Sequence, residues 1–252
     1  MYTGNYLLAD VPVRVVSIYD EVHKMCAGYA TQQSPLIEIE ISEEDIVNEG
    51  KWSDEQRKLE KLPEYHFPDS YLETLAVYRK LAESLLAHRC ILMHGSVIAV
   101  DGEGYLFTAL SGTGKSTHVA LWRKLFGQRA VMINDDKPLI RLTSTDDNQK
   151  QAIVYGTPWD GKHHLSTNTS VPLKAIVYLQ RGAENEIHKV SAQEIFPILM
   201  QQTHHPADAV STMQFLQLLS DLTQSVGFYS LHCNMNPDAA QVAYDGMCNL
   251  GH

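Results

Sequence analysis

The stretch that most constrains this chain is Ala109-Leu110-Ser111-Gly112-Thr113-Gly114-Lys115-Ser116-Thr117, a small-residue loop between an apolar run (Tyr105 to Ala109) and a helical pattern (Thr117 to Phe126). Strand, glycine loop and helix in that order aim several backbone N–H groups at one point, because glycine accepts φ > 0 and the helix behind adds its positive end. A polyphosphate needs that arrangement. In such a loop Ser111, Gly112, Thr113, Gly114, Lys115, Ser116 and Thr117 surround the phosphates. Lys115 reaches the β- and γ-groups, and the Ser116 hydroxyl can ligate magnesium. ATP and Mg2+ are therefore the expected ligands. Ala109 stands where the consensus has glycine, so the first corner has to be an ordinary turn.

The rest of the chain supplies a mixed α/β frame. Residues 1–68 read as a β-rich segment: β-branched residues crowd Tyr6 to Ile18, and Leu36 to Ile41 alternates as a half-buried strand. The charged run Ser42 to Pro68, broken by Gly50, Pro63 and Pro68, reads as a loop or boundary. Residues 69–252 read as the catalytic domain. Its first helix starts at Ser70, where Ser70 and Glu73 match a capping box. Strands Cys90 to Met93 and Ser96 to Val100 follow, and the turn Asp101-Gly102-Glu103-Gly104 makes the strand feeding the loop one arm of a hairpin. Further strands are expected at Ala130 to Ile133, Pro138 to Leu142, Gln149 to Tyr155, Lys174 to Leu179 and Phe228 to Cys233. Helices are expected after the Ser191/Glu194 capping pattern, over Ala207 to Val226 and from Pro237 to Cys248.

Phosphoryl transfer needs one carboxylate near the metal and another to take the acceptor's proton. Asp135 and Asp136, at the end of an apolar strand soon after the loop helix, supply such a pair, with Asp135 taken as the base and Asp136 as the metal ligand beside Ser116. The competing reading is a turn-forming pair. His94, in Met93-His94-Gly95-Ser96, can orient a carboxylate. The loop Gly156-Thr157-Pro158-Trp159-Asp160-Gly161-Lys162-His163-His164 carries recognition-type residues, with Trp159 and Lys162 the expected acceptor contacts and core packing of Trp159 the alternative. Arg181 either faces developing phosphoryl charge or caps a hairpin.

Composition narrows the partners. Twenty basic against 30 acidic side chains give a net charge of −10, which argues against nucleic acid and anionic membranes as partners. The four scattered cysteines have no metal spacing and read as reduced thiols, and no signal-peptide or membrane-spanning pattern is present, so a cytoplasmic protein is expected.

The region from about Cys90 to Pro138 resembles the catalytic domain of HPr kinase/phosphorylase and, more broadly, the phosphoenolpyruvate-carboxykinase-like superfamily. The resemblance rests on Met93-His94-Gly95, the hairpin into Ser111-Gly112-Thr113-Gly114-Lys115-Ser116, and the strand ending in Asp135-Asp136. The segment from Gly156 to Gln202 is similar to HPr-kinase-like proteins encoded with peptide-modification systems. The resemblance implies a mixed sheet carrying a phosphate loop, with Lys115 on the transferring phosphates, Ser116 and an aspartate on the metal, one of Asp135 and Asp136 as base and His94 beside it. It also implies a kinase acting on a hydroxyl of a peptide, small protein or small molecule, with a homo-oligomer expected by analogy. A nucleotide-binding switch or scaffold without catalysis is the alternative. The first 65 residues do not look like the regulatory domain of the bifunctional HPr enzyme, so HPr itself is not implied as the acceptor.

Overall fold

The structure is a computed structural model and describes residues 1–59, 61–144, 149–161 and 163–249. Two compact units divide the chain, Met1–Leu85 and Leu86–His252.

In the first unit, β1 (Tyr2–Leu8) and β2 (Val11–Ser17) form a hairpin joined by Ala9-Asp10. Both turn residues have positive φ, 50° and 59°, which the right-handed twist of a two-residue hairpin demands. After the short helix α1 (Glu21–Met25), β3 (Ile37–Glu40) adds parallel to β2. Two longer helices complete the unit, α2 (Glu43–Leu59) and α3 (Asp69–Ser84), and α3 lies against α1, α2 and β3.

Helix α2 occupies much of the run read from sequence as a loop. Only Ile46, Glu49 and Ser53 of it are buried, so it has no apolar stripe to announce it. Polar contacts dock it instead: Arg79 donates two hydrogen bonds of 2.8 Å to Glu49, and Lys80 pairs with Asp45 at 2.7 Å. The expected Ser70/Glu73 capping box does not form either. Helix α3 starts after Pro68 with no side-chain cap, and the buried Glu73 carboxylate accepts from the backbone N–H groups of Ile18 (2.6 Å) and Tyr19 (2.9 Å). Helix α3 packs with α1, α2 and β3, and the first compact unit runs through Leu85.

The second unit is a mixed, curled sheet. In chain order it comprises β4 (Cys90–Leu92), β5 (Ser96–Val100), β6 (Glu103–Thr108), α4 (Lys115–Phe126), β7 (Ala130–Asn134), β8 (Leu139–Ser144), β9 (Lys150–Tyr155), β10 (Ser170–Arg181), β11 (Glu186–Lys189), α5 (Ala192–Gln202), α6 (Ala209–Thr223), β12 (Gly227–Cys233) and α7 (Asp238–Asn249). The strand order is β4-β8-β9-β10-β6-β5-β7, with β12 also on β10 and β11 on β12. Ser191 and Glu194 form the full capping box expected ahead of α5. Strand β11 was not anticipated.

Alternation along the central strands sends neighbouring side chains to two cores. Val97, Ala99 and Leu106 join one cluster with Leu199 of α5 and Phe215 of α6, while Ile98, Val100, Tyr105 and Phe107 join another with Trp122 of α4 and Ala243 of α7. Both faces of the sheet are therefore covered, and its strands read as continuous apolar runs. Among the described residues no helix is long and apolar enough to cross a membrane.

Strand β5 is antiparallel to both β6 and β7 and lies between them. Strand β6 is parallel to β10, and β10 to β12. The carboxyl ends of β6, β7, β10 and β12 thus reach the same edge as the amino end of β5. Ligand sites of α/β sheets gather at such an edge.

Candidate functional site

From β6 the chain enters the loop with Gly112 at φ +73° and Gly114 at φ +120°. A Cβ at either glycine would meet nothing within 4 Å, so backbone angle and not crowding demands glycine there. Thr113 ties the turn closed, its N–H and hydroxyl both donating to the Leu110 carbonyl at 3.2 and 2.7 Å. Helix α4 then begins at Lys115, whose Nζ folds back to the Ala109 carbonyl at 3.0 Å. Ala109 is fully buried and does not have positive φ, in keeping with an ordinary first corner. Arg181, at the end of β10, donates to the carbonyls of Gly112 (2.7 Å) and Thr113 (3.4 Å). Its guanidinium braces the loop.

Strand β7 ends in Asn134-Asp135-Asp136, and the buried Asn134 makes the turn. Its Oδ1 accepts from the N–H groups of Asp136 (2.9 Å) and Lys137 (2.6 Å), while its Nδ2 donates to Thr157 Oγ1 (3.1 Å) and to the Thr157 carbonyl (3.2 Å). Thr157 Oγ1 donates in turn to the Lys137 carbonyl at 2.8 Å. The turn-forming role considered for the aspartates thus belongs to Asn134, which leaves both carboxylates for other work. Nothing in the sequence separated this asparagine from an ordinary strand end except its place before the acidic pair.

The two carboxylates face different surroundings. Asp135 Oδ1 accepts from the Gly161 N–H at 2.6 Å. A Cβ on Gly161 would come within 2.9 Å of Asp135 Oδ2, so glycine permits the close approach. Asp136 Oδ1 lies 3.4 Å from His94 Nε2 and 3.6 Å from Lys137 Nζ. Burial raises the Asp136 carboxyl above the ordinary aspartate value, with Lys137 and Lys115 pulling the other way. Burial likewise lowers the Lys115 ammonium, against the pull of Asp136.

His94 is held by Gln202, the last residue of α5. The Gln202 backbone carbonyl accepts from the His94 N–H at 2.7 Å, and its Oε1 lies 3.1 Å from His94 Nδ1 and accepts from Thr108 Oγ1 at 3.3 Å. A side-chain oxygen that can only accept fixes the proton on Nδ1 and leaves the Nε2 lone pair toward Asp136. Burial, with Lys137 and Lys115 nearby, pushes the imidazole down to about 3, so it is neutral at physiological pH. Gln202 lies far along the chain and carried no sequence signal.

Two clefts flank the loop. One, of about 300 Å³, is lined by Ser96, Ser116, Arg123, Asp135 and His163 with Val119, Met132 and Leu165 as its apolar wall. The other, of about 510 Å³, is bounded by Gly112, Thr113, Thr117, Leu179, Arg181 and Asn234. The edge therefore brings together Lys115, Ser116, Asp135, Asp136 and His94, with Arg181 behind the loop. Trp159, expected with Lys162 as an acceptor contact, is 6% exposed, which agrees with the alternative that it packs as core, and its carbonyl accepts from Thr157 Oγ1 at 3.3 Å. Lys162 lies outside the described residues. His164 is 82% exposed in its side chain and pairs with Asp160 at 3.0 Å.

The donors suit magnesium more than a softer metal. Among the described residues no group of three or more His, Cys, Asp or Glu side chains could hold an ion. A hydroxyl and a carboxylate beside this glycine loop are oxygen ligands of the kind magnesium takes.

No curated protein matches the chain. Among solved structures, it is similar to the Hpr(Ser) kinase/phosphatase from Coxiella burnetii, over 64% of this chain and 99% of that one, at 11% identity and a TM-score of 0.33. That likeness is distant. A family model described as "ScmC: SynChlorMet cassette protein ScmC" matches residues 71–236, about two thirds of the sequence, and the chain belongs to the ScmC family.

Proposed function

We propose that this protein is an ATP- and magnesium-dependent kinase that transfers the γ-phosphoryl group to a hydroxyl, with a serine or threonine side chain as the acceptor type. One observation carries the reading: a loop with two positive-φ glycines opening a helix shares its sheet edge with Asp135 and Asp136, and Ser116 and Asp135 line the same cleft.

The loop N–H groups and the amino end of α4 bind the phosphates. Lys115 exchanges the Ala109 carbonyl for phosphate oxygens and neutralises charge that grows as the bond to ADP breaks. Asp135, its Oδ1 anchored by the Gly161 N–H, accepts the hydroxyl proton at Oδ2 as the acceptor oxygen bonds to phosphorus. Ser116 and Asp136 would hold magnesium, which when bound offsets the negative charge of the phosphates. Neutral His94, held through Nδ1 by Gln202, stands beside Asp136, and its Nε2 accepts a hydrogen bond only from the protonated carboxyl. The 510 Å³ cleft, with the apolar Leu179 and Leu121 and the polar Asn234, takes the nucleoside.

The test is calorimetric binding of Mg·ATP together with transfer of label from γ-labelled ATP to serine peptides and free hydroxy compounds. Micromolar binding and labelled product support the reading. Absence of nucleotide binding overturns it, and binding without transfer to any hydroxyl favours the switch or scaffold alternative.

A further inference from the structure

The 300 Å³ cleft carries a cation that nothing in the fold uses. Arg123 lines it, is exposed, and among the described residues its side chain makes no hydrogen bond or ion pair. Other arginines of the unit are engaged: Arg89 pairs with Asp221, Arg129 with Asp101, and Arg181 with the loop carbonyls. Ser116, Val119 and Arg123 follow one another at helical spacing on α4 and face the same cleft. At 1.5 Å per residue, Ser116 and Arg123 stand about 10 Å apart along the helix.

The cleft thus has two chemical ends joined by an apolar wall of Val119, Met132 and Leu165. Asp135 and Ser116 mark one end. Arg123 marks the other, with donors only and a planar fork that suits carboxylate or phosphate. A volume near 300 Å³ is at the small end of ligand sites and holds a small molecule or a few atoms of a chain, not a folded surface. We infer that the phosphoryl acceptor bears an acid group within about 10 Å of its hydroxyl, the hydroxyl meeting Asp135 and the acid meeting Arg123. The inference rests on the kinase reading for the role of Asp135 but concerns the acceptor cleft alone. A free hydroxy or amino acid and an acidic serine peptide share this chemistry.

The probes are two acid–amide pairs: N-acetylserine against N-acetylserinamide, and a capped serine tetrapeptide with aspartate two residues on against its asparagine counterpart. Binding is measured by NMR titration of the full chain, with and without a Mg·ATP analogue, for wild type, Arg123→Gln and Arg123→Lys. The acid member of at least one pair is expected to bind about tenfold tighter than its amide, the range for a charge-assisted hydrogen bond. Arg123→Gln should erase the difference and Arg123→Lys should retain part of it. A preference confined to the small pair identifies a free acid, and one confined to the tetrapeptides an acidic peptide. Equal binding within both pairs, absence of binding by all four, or a preference that survives Arg123→Gln overturns the inference. Failure of the nucleotide analogue to bind counts against the kinase reading instead, and the titration without nucleotide still decides the role of Arg123.

Discussion

Two kinds of shielded carboxylate occur in the molecule, one fully paired and one not. In the first unit Glu73 is fully buried and receives two backbone N–H groups at 2.6 and 2.9 Å, while Glu49 receives both arms of Arg79, itself stacked 4.1 Å over Trp52. Those charges are saturated. In the second unit the half-buried Asp136 has its nearest imidazole and cationic nitrogens at 3.4 and 3.6 Å, too long for good hydrogen bonds, and burial raises its carboxyl. A satisfied buried carboxylate holds a fold together, whereas an unsatisfied one beside a lysine marks a place that a ligand completes.

The sharpest way to break this contrast is through the cation. Lys115→Ala should lower phosphoryl transfer about a thousandfold, as loss of one preorganised charge does, while the melting temperature stays near wild type. A large drop in melting temperature with transfer intact would make Lys115 a structural residue. The acidic pair comes next. Asp135→Asn should cut transfer by about 10²–10⁴-fold with Mg·ATP affinity nearly intact, whereas Asp136→Asn should raise the magnesium requirement. Because Asp136 is raised, its ionisation opposes the fold: no penalty exists below the ordinary aspartate range, and one accrues as pH rises through the raised value. Asp136→Asn should therefore melt no lower than wild type at pH 7, as calorimetry can check. Destabilisation there would place Asp136 with Glu73.

Smaller effects belong to the saturated acids. Glu73→Leu strands the buried N–H groups of Ile18 and Tyr19 and should cost about 3 kcal/mol in denaturant unfolding, with nucleotide affinity unchanged when both proteins are folded. Asp221 extends the comparison into the second unit. Hydrogen bonds from Lys150 first, then Arg89 and Gln217, pull it down to about 2. A depressed carboxyl stabilises above its ordinary value of about 4 and loses that contribution as pH falls toward about 2. Asp221→Asn should cost about 1 kcal/mol at pH 7, since its cations are half-exposed, and the gap to wild type should close by pH 2.

Local signals in the sequence served well where structure is local. The β5–β6 hairpin into the glycine loop, the pairing of β8 with β9 and the Ser191/Glu194 box are decided by neighbouring residues. So is the sign Ser42-x-x-Asp45, which caps α2 through reciprocal hydrogen bonds of 2.8 and 3.3 Å. The prolines, Gly50 and the absence of an apolar stripe hid that sign. Glu73 is a related case: a glutamate three residues after serine fits a cap, and only the tertiary fold brings two N–H groups, at Ile18 and Tyr19, to compete for it. At the site, the loop and the acidic pair could be read directly. Asn134 and Gln202 could not, because their partners lie across the sheet or far along the chain. Arg123 looked like any surface arginine until the cleft showed what it faces.

The position of β10 bears on when, and not only where, this site exists. It lends its first residues to β9 and the rest to β6 and β12, shifting register between Leu173 and Ala175. Until it arrives, β6 has β5 on one side and an open edge on the other. At roughly 5–20 residues per second, synthesis separates the two strands by several seconds. A nascent chain that has made its glycine loop and its acidic pair therefore still lacks Arg181 behind that loop, and it exposes a largely apolar strand edge of the kind that pairs between molecules. Ribosome-bound chains halted before Ser170 should fail to retain nucleotide and should associate through that edge, and nucleotide retention should emerge once Arg181 has cleared the exit tunnel.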